Sequence, residues 1–418
     1  MIWAATAVGA RIDPFLRAVE RHRESTLVAC AGASVVVDFL NFAMMRLTGG
    51  TGVVIAAAKM AIFAALVTLV VRRASSWFLL LLFATMGTAR MVSNLLHGDE
   101  VYGTDFVFLF RFLLTVAFVM AFRECGWTGM RRMYRLAFAT FALQSATILA
   151  AFAFGIHFFD AYEYRDGYKG LFVHINDEAF LMAAGVLLSV QRFHELGDRR
   201  WAALGLFLLA GMAIMGLGSR TALLGALVVP ILYAVAKTLR NPLRPSRSLM
   251  AISMGLVAGL LAAVAAFWET IQRSILTQLV ALYAHSGSIV NALTTGRDVY
   301  IRRLFEGLDG AWRYALGSFI DIEVHSSQMM ESDLFDLFFR FGLPVFPLLA
   351  LIVLALYGPA LRRGEAGLWS FLGLAFLIGG LTGHVLISSQ NSMWIAFFLT
   401  CFGRNWTRDP GAAAKGSA

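Results

Sequence analysis

Arg220 stands at the head of an apolar run with almost no loop in front of it. The stretch Gly216-Leu-Gly-Ser-Arg-Thr-Ala-Leu-Leu224 puts its guanidinium beside free backbone N–H groups at a helix start. The positive end of the helix dipole favours an anion there. A permanently charged, forked donor in that place suits a phosphate. Plain snorkelling to lipid headgroups is the alternative, and it needs neither the serine nor the glycine. More arginines follow. Arg297 stands in Thr295-Gly-Arg297, and Arg302 and Arg303 lie in the helical pattern after it. A solvated helix face paired with Asp298, Glu306 and Asp309 remains open for these three. Arg340 lies four residues beyond Asp336 and shares its helix face, so an intrahelical pair and ligand binding are both open. Arg90 and Arg111, with Asn94 and Asp105, either line an outward-facing cavity or snorkel. Proton transfer needs a titratable partner within reach. His325 and Glu331 are the candidates, with His384 third; for His384 an interhelical hydrogen bond is the plainer reading.

The elements that must position these residues are apolar and numerous. The chain has 418 residues, 59% hydrophobic and 15% charged, which excludes an ordinary soluble domain. A membrane helix needs roughly 20 apolar residues to cross about 30 Å of hydrocarbon. Such runs fall at 27–46, 50–71, 76–96, 104–122, 134–157, 176–193, 201–217, 219–238, 248–268, 333–357, 367–387 and 390–404. The expected fold is all-α: a polytopic transmembrane helical bundle of about twelve spans. One integral membrane domain covers 1–404 and a disordered cytoplasmic tail covers 405–418.

The loops sort into two alternating sets. One set carries Arg17, Arg21 and Arg23, then Arg72 and Arg73, Arg131 and Arg132, Arg199 and Arg200, Arg244 and Arg247, and Arg362 and Arg363. The positive-inside rule makes that set cytoplasmic, with both termini inside. The other set is nearly free of arginine except for a long loop at about 269–332, which is then periplasmic. The net charge of +9 sits mostly at helix ends, so it reads as topology and headgroup contact, not nucleic-acid binding. Cys30, Cys125 and Cys401 form neither a disulfide framework nor a metal spacing. Met1–Ala10 is apolar without a basic start and reads as a short interfacial helix, not a cleaved signal.

An ionisable residue inside a span costs about 2.5–3.5 kcal/mol on insertion scales and faces the bundle interior or a wet cavity. Asp38 and Lys59 fall near mid-depth and read as an ion pair between neighbouring helices, with a proton relay as the alternative. The other polar outliers map to one half of the membrane. Arg90, Arg111, Arg220, the loop arginines, His325, Glu331 and His384 all fall toward the arginine-poor face, with Ser388-Ser-Gln-Asn-Ser392 beside them. That asymmetry points to an outward-opening site for an anionic, membrane-embedded ligand.

At these residues the sequence resembles the bacterial O-antigen polymerase and O-antigen ligase superfamily, the Wzy-type polymerases and WaaL-type ligases. The resemblance rests on Ser219–Leu224, Thr295–Arg297, Ala315-Leu-Gly-Ser318, Glu331-Ser-Asp-Leu-Phe-Asp-Leu-Phe-Phe-Arg-Phe-Gly342, and His174-Ile-Asn176 at the mouth of the sixth span. It covers roughly 174–400. It implies a GT-C-like, metal-independent glycosyltransferase that needs no cofactor. Its substrate would be undecaprenyl-diphosphate-linked oligosaccharide at the periplasmic face of the inner membrane. Its other partners would be membrane lipids and a chain-length regulator protein. Arg220 and Arg297, then Arg302 and Arg303, would bind the diphosphate, with Arg90, Arg111, Arg340 and Asn176 also on the substrate side. His325, Glu331 and His384 would be the acid–base candidates. A ligase-like pattern expects glycine about eleven residues after the histidine; Asp336 stands there, which favours a polymerase. Asp321-Ile-Glu323 could be read as a metal-binding pair, but the chain shows no nucleotide-sugar domain to hold a donor. A lipid-linked oligosaccharide flippase is the rival of another class. It predicts internal symmetry and a charged path across both leaflets, for which only Asp38 and Lys59 qualify.

Overall fold

The computed structural model describes residues 22–50, 52–70, 74–96, 103–161, 167–195, 200–240, 268–272, 276–289, 310–317, 332–380 and 385–403, together with scattered positions between 258 and 306. Everything among them that is regular is helical. The principal helices are α1 (Arg23–Thr48), α2 (Val53–Val70), α3 (Ala74–Leu96), α4 (Gly103–Arg123), α5 (Trp127–Phe154), α6 (Ile175–Glu195), α7 (Arg200–Gly216) and α8 (Arg220–Arg240). They continue with α9 (Thr277–Ser286), α10 (Ala311–Leu316), α11 (Asp333–Phe341), α12 (Val345–Arg362), α13 (Ala366–Ala375) and α14 (Ser392–Gly403). Five helices are long and apolar enough to cross a membrane: α1, α2, α4, α5 and α12. Shorter apolar helices lie within α3, α7, α13 and α14.

Burial separates two kinds of helix. In α6 every residue from Asp177 to Val190 is buried, and in α14 every residue is. A helix apolar all round belongs in the middle of a bundle. α6 packs against α7, α8 and α13, and α14 against α4. Phe141 and Phe398 stack at 6.0 Å where α5 meets α14, and Phe180 meets Phe371 at 5.8 Å where α6 meets α13. The outer helices instead turn large apolar side chains outward, among them Val36 and Leu40 of α1 and Leu351 and Leu354 of α12. Without water to exclude, a lipid-facing leucine is no anomaly.

Most of the spans read from sequence form helices within a few residues of their expected bounds, α1 to α8 in particular, except that α5 starts at Trp127, seven residues before the expected 134. Two regions differ. The span expected at 333–357 is broken: α11 ends at Phe341, and α12 begins at Val345 after Gly342-Leu-Pro344. Gly342 turns with φ 73° and ψ −178°, and Leu343 N–H donates to the Tyr314 carbonyl at the end of α10, 2.9 Å away. The span expected at 367–387 leaves the α form after Ala375, continues as a π turn over Phe376–Gly380, and is non-helical from Val385 to Asn391. Most of the span at 248–268 and about half of the loop at 269–332, including Thr295–Arg297, lie outside the described residues.

Candidate functional site

The segment Val385–Asn391 is irregular backbone in the middle of the bundle. Ile387, Ser388, Gln390 and Asn391 are buried. At membrane depth such backbone is tolerated only where protein groups satisfy it. Here three helices do so. Asp333, the first residue of α11, accepts the N–H groups of Val385 and Leu386, both at 2.7 Å. Thr115 of α4 has its hydroxyl 3.0 Å from the Leu386 carbonyl and 2.9 Å from the Ser392 hydroxyl. Lys59 of α2 donates to the Ser389 carbonyl at 3.1 Å.

Asp177, in the first turn of α6, is the centre of this frame. It accepts from Ser388 Oγ at 2.6 Å and from Asn391 Nδ2 at 2.9 Å. With the Gln390 amide oriented so that both its ends are satisfied, Gln390 donates to Asp177 at 2.9 Å and accepts from Val173 N–H at 3.2 Å. A buried carboxylate is costly unless donors surround it, and here three side chains converge. Lys59 ties the frame to α1 through Asp38 at 2.7 Å and Ser34 at 3.0 Å. The mid-depth ion pair expected between neighbouring helices is therefore present.

Arg111 stands one turn before Thr115 on α4. Its side chain is half-buried and close enough to Asp177 for the two charges to interact. Among the described residues its guanidinium makes no hydrogen bond or ion pair, so its forked donors are available. His174, the last residue before α6, lies within the field of both Arg111 and Lys169. His174 keeps an exposed surface but is closely surrounded by protein, which strips water from its imidazole. That desolvation, and then the positive charges of Arg111 and Lys169, push its imidazole down to about 4. It is neutral at ordinary pH. Burial and then the neighbouring Arg46 push the Lys169 ammonium down to about 8, against the pull of Glu178. The result is a mouth holding cations and a neutral imidazole, at the end where α1 and α5 finish and α4 and α6 begin. Forked donors and the N–H of a neutral imidazole suit an oxyanion such as a phosphate.

Beyond the Val385–Asn391 turn lies an apolar cavity of about 240 Å³ between α4, α12, α13 and α14. Phe112, Val116, Leu349, Leu356 and Leu399 line it, with Asp333 and Thr115 supplying its polar lining. Among the described residues no three His, Cys, Asp or Glu side chains stand together so as to hold a metal ion.

Of the residues singled out from sequence, Arg111 and Asn176 come to this mouth; Asn176 is half-buried in the first turn of α6. Arg220 begins α8 as expected, behind Ser219, whose hydroxyl accepts the Ala222 N–H at 3.4 Å. The Arg220 side chain is outside the described residues. Arg90 and Arg340 are buried, 2% and 3% exposed. Arg340 lays its guanidinium carbon 4.2 Å from the Phe108 ring centre, so it packs inside the bundle between α11 and α4. Arg302 is exposed on a short helical stretch. His325, Glu331, His384, Arg297 and Arg303 lie outside the described residues. Sequence reading missed Asp177, Lys169 and Arg46 as members of one constellation. The available signal was the two cations on the arginine-poor side. No family model matches the chain, and no curated protein matches it at a significant level.

Proposed function

We propose that this chain is a membrane-embedded glycosyltransferase that polymerises undecaprenyl-diphosphate-linked oligosaccharide repeat units into a cell-surface polysaccharide. On this reading it is a GT-C-like bundle of about twelve spans in the bacterial inner membrane. Its site faces the periplasm, below the loop at 269–332. The observation that carries the proposal is the available Arg111 guanidinium beside neutral His174 and Lys169, at the arginine-poor end of the bundle. The motif resemblance over 174–400 supplies the reaction class.

In the reaction, an acceptor hydroxyl oxygen bonds to the donor's anomeric carbon while the bond from that carbon to the diphosphate breaks. The electron pair leaves on a phosphate oxygen, and the hydroxyl proton goes to a base. Arg111 would stabilise the departing charge with two parallel donors. Asp177 would hold Arg111 in place electrostatically. His325 or Glu331 would take the proton, with His384 as the third candidate. The apolar cavity beside Asp333 would take part of the carrier's hydrocarbon chain.

A flippase is the second reading, favoured by the broken backbone at Val385–Asn391 and the charged pair Asp38–Lys59 that supports it. The test uses purified protein in nanodiscs with an undecaprenyl-diphosphate-linked repeat unit and no other acceptor. A ladder of longer lipid-linked chains is expected, reduced about 100-fold or more by Arg111→Ala. Transfer seen only once lipid A–core is supplied would make the protein a ligase. Lipid binding without product, together with transbilayer movement of that lipid by the wild type, would make it a flippase.

A further inference from the structure

Arg46 and Lys169 meet over one aromatic ring. The Arg46 guanidinium carbon is 5.8 Å from the centre of Phe42, and the Lys169 Nζ is 5.6 Å from it. Phe42 is held edge-on to Phe158 at 5.6 Å and stacked on Phe159 at 5.7 Å. Arg46 donates to the Asp160 backbone carbonyl, and Lys169 to the Val173 carbonyl at 2.9 Å. These bonds fix the two head groups but leave their charges standing. Among the described residues no carboxylate lies within ion-pair distance of either. The Asp160 carboxylate is engaged by His157 at 3.0 Å, and Glu178 is fully buried. Two like charges held near each other repel, and an anion between them offsets that repulsion.

The surroundings say what kind of anion. Leu47, next to Arg46, is 76% exposed, and Phe154, at the end of α5, is 79% exposed. Phe158 and Ile156 are also exposed. This apolar collar sits at the ends of α1 and α5, both long and apolar enough to cross a membrane. Exposed aromatic and aliphatic side chains beside a cation pair at such helix ends offer a lipid both a partner for its phosphate and a surface for its chains.

We infer that Arg46, Phe42 and Lys169 form a binding site for the phosphate of an anionic membrane phospholipid, whose chains lie against Leu47, Phe154 and Phe158. The site does not depend on the glycosyl-transfer reading. It would operate equally in a transporter.

The test is native mass spectrometry of the detergent-purified full chain, titrated with dioleoylphosphatidylglycerol or dioleoylphosphatidylcholine. The wild type is expected to prefer the glycerol lipid. Arg46→Gln and Lys169→Gln should each lower that preference about fivefold, the factor for about 1 kcal/mol per surface cation. The double variant should abolish it, and millimolar inorganic phosphate should not displace the lipid. Equal binding of both lipids by the wild type would overturn the inference. So would an unchanged preference in the double variant, or displacement by inorganic phosphate. Arg46 is exposed, so Arg46→Gln still decides the matter if Lys169→Gln fails to fold.

Discussion

Lys59 on α2 and Asp38 on α1 face each other at 2.7 Å, both almost wholly buried, and the same ammonium donates to the Ser389 carbonyl at 3.1 Å. One cation thus joins two neighbouring helices to a buried turn far along the chain. Removing it leaves Asp38 and a carbonyl unsatisfied at once. Lys59→Ala is expected to destabilise the protein by about 3–5 kcal/mol, because a buried charge loses its partner. The double variant Lys59→Met, Asp38→Leu should recover much of that loss. Thermal unfolding in detergent, followed by loss of the monodisperse peak, checks both; equal damage in single and double variants would refute the pairing argument.

Asp177 gathers Ser388, Gln390 and Asn391 and neighbours Arg111. Asp177→Ala strands those donors, at about 1–3 kcal/mol for each one left unsatisfied. Asp177→Asn fills the same space and should cost less. Comparing melting temperatures of the two variants tests the ranking.

Gly317 and Gly342 touch across the α10–α11 corner. A methyl group on Gly317 would stand 2.6 Å from the Phe339 carbonyl oxygen, and one on Gly342 would collide with the Ala315 carbonyl. Both glycines also have positive φ, 81° and 73°. Strain and collision add, so Gly317→Ala and Gly342→Ala should each sharply lower the yield of folded protein. Gly358, with open space around it, provides the control: Gly358→Ala should express normally.

The mouth also makes a statement about pH. The folded His174 imidazole is pushed down to about 4, below its ordinary 6.5. Between those values the unfolded chain binds the extra proton, so stability rises with pH across that window. His174→Gln should flatten the rise. Lys169 behaves the same way higher up: with a folded value of about 8 against 10.5, stability rises again over that range. Anion binding moves oppositely, weakening as Lys169 loses its charge above about pH 8. Lys169→Arg should carry tight binding to higher pH. Chemical unfolding and phospholipid binding measured at a series of pH values test the two signs separately.

Apolar runs about one membrane thick are readable directly, because burial in hydrocarbon is settled residue by residue along a local stretch. That is why α1 to α8 lie near their expected bounds and why the Asp38–Lys59 pair between adjacent helices was legible. The break at Gly342-Leu-Pro344 was masked by the apolar residues on both sides, although its glycine and proline are breakers. The buried turn at Val385–Asn391 was read as two spans with a small outer loop. Nothing local distinguishes a polar cluster at the surface from one that neighbouring helices satisfy. The mouth shows the same divide. Arg111 was named from its position and Asn176 from the motif resemblance, but Arg46, at the end of an apolar run, was not singled out. Asp177 bonds to Ser388, 211 residues away. Contacts at that separation come from which helix faces pack together, and that depends on the shapes of many side chains at once. Composition and periodicity specified a helical membrane protein with polar residues on one side. Packing chose which of those residues share a site.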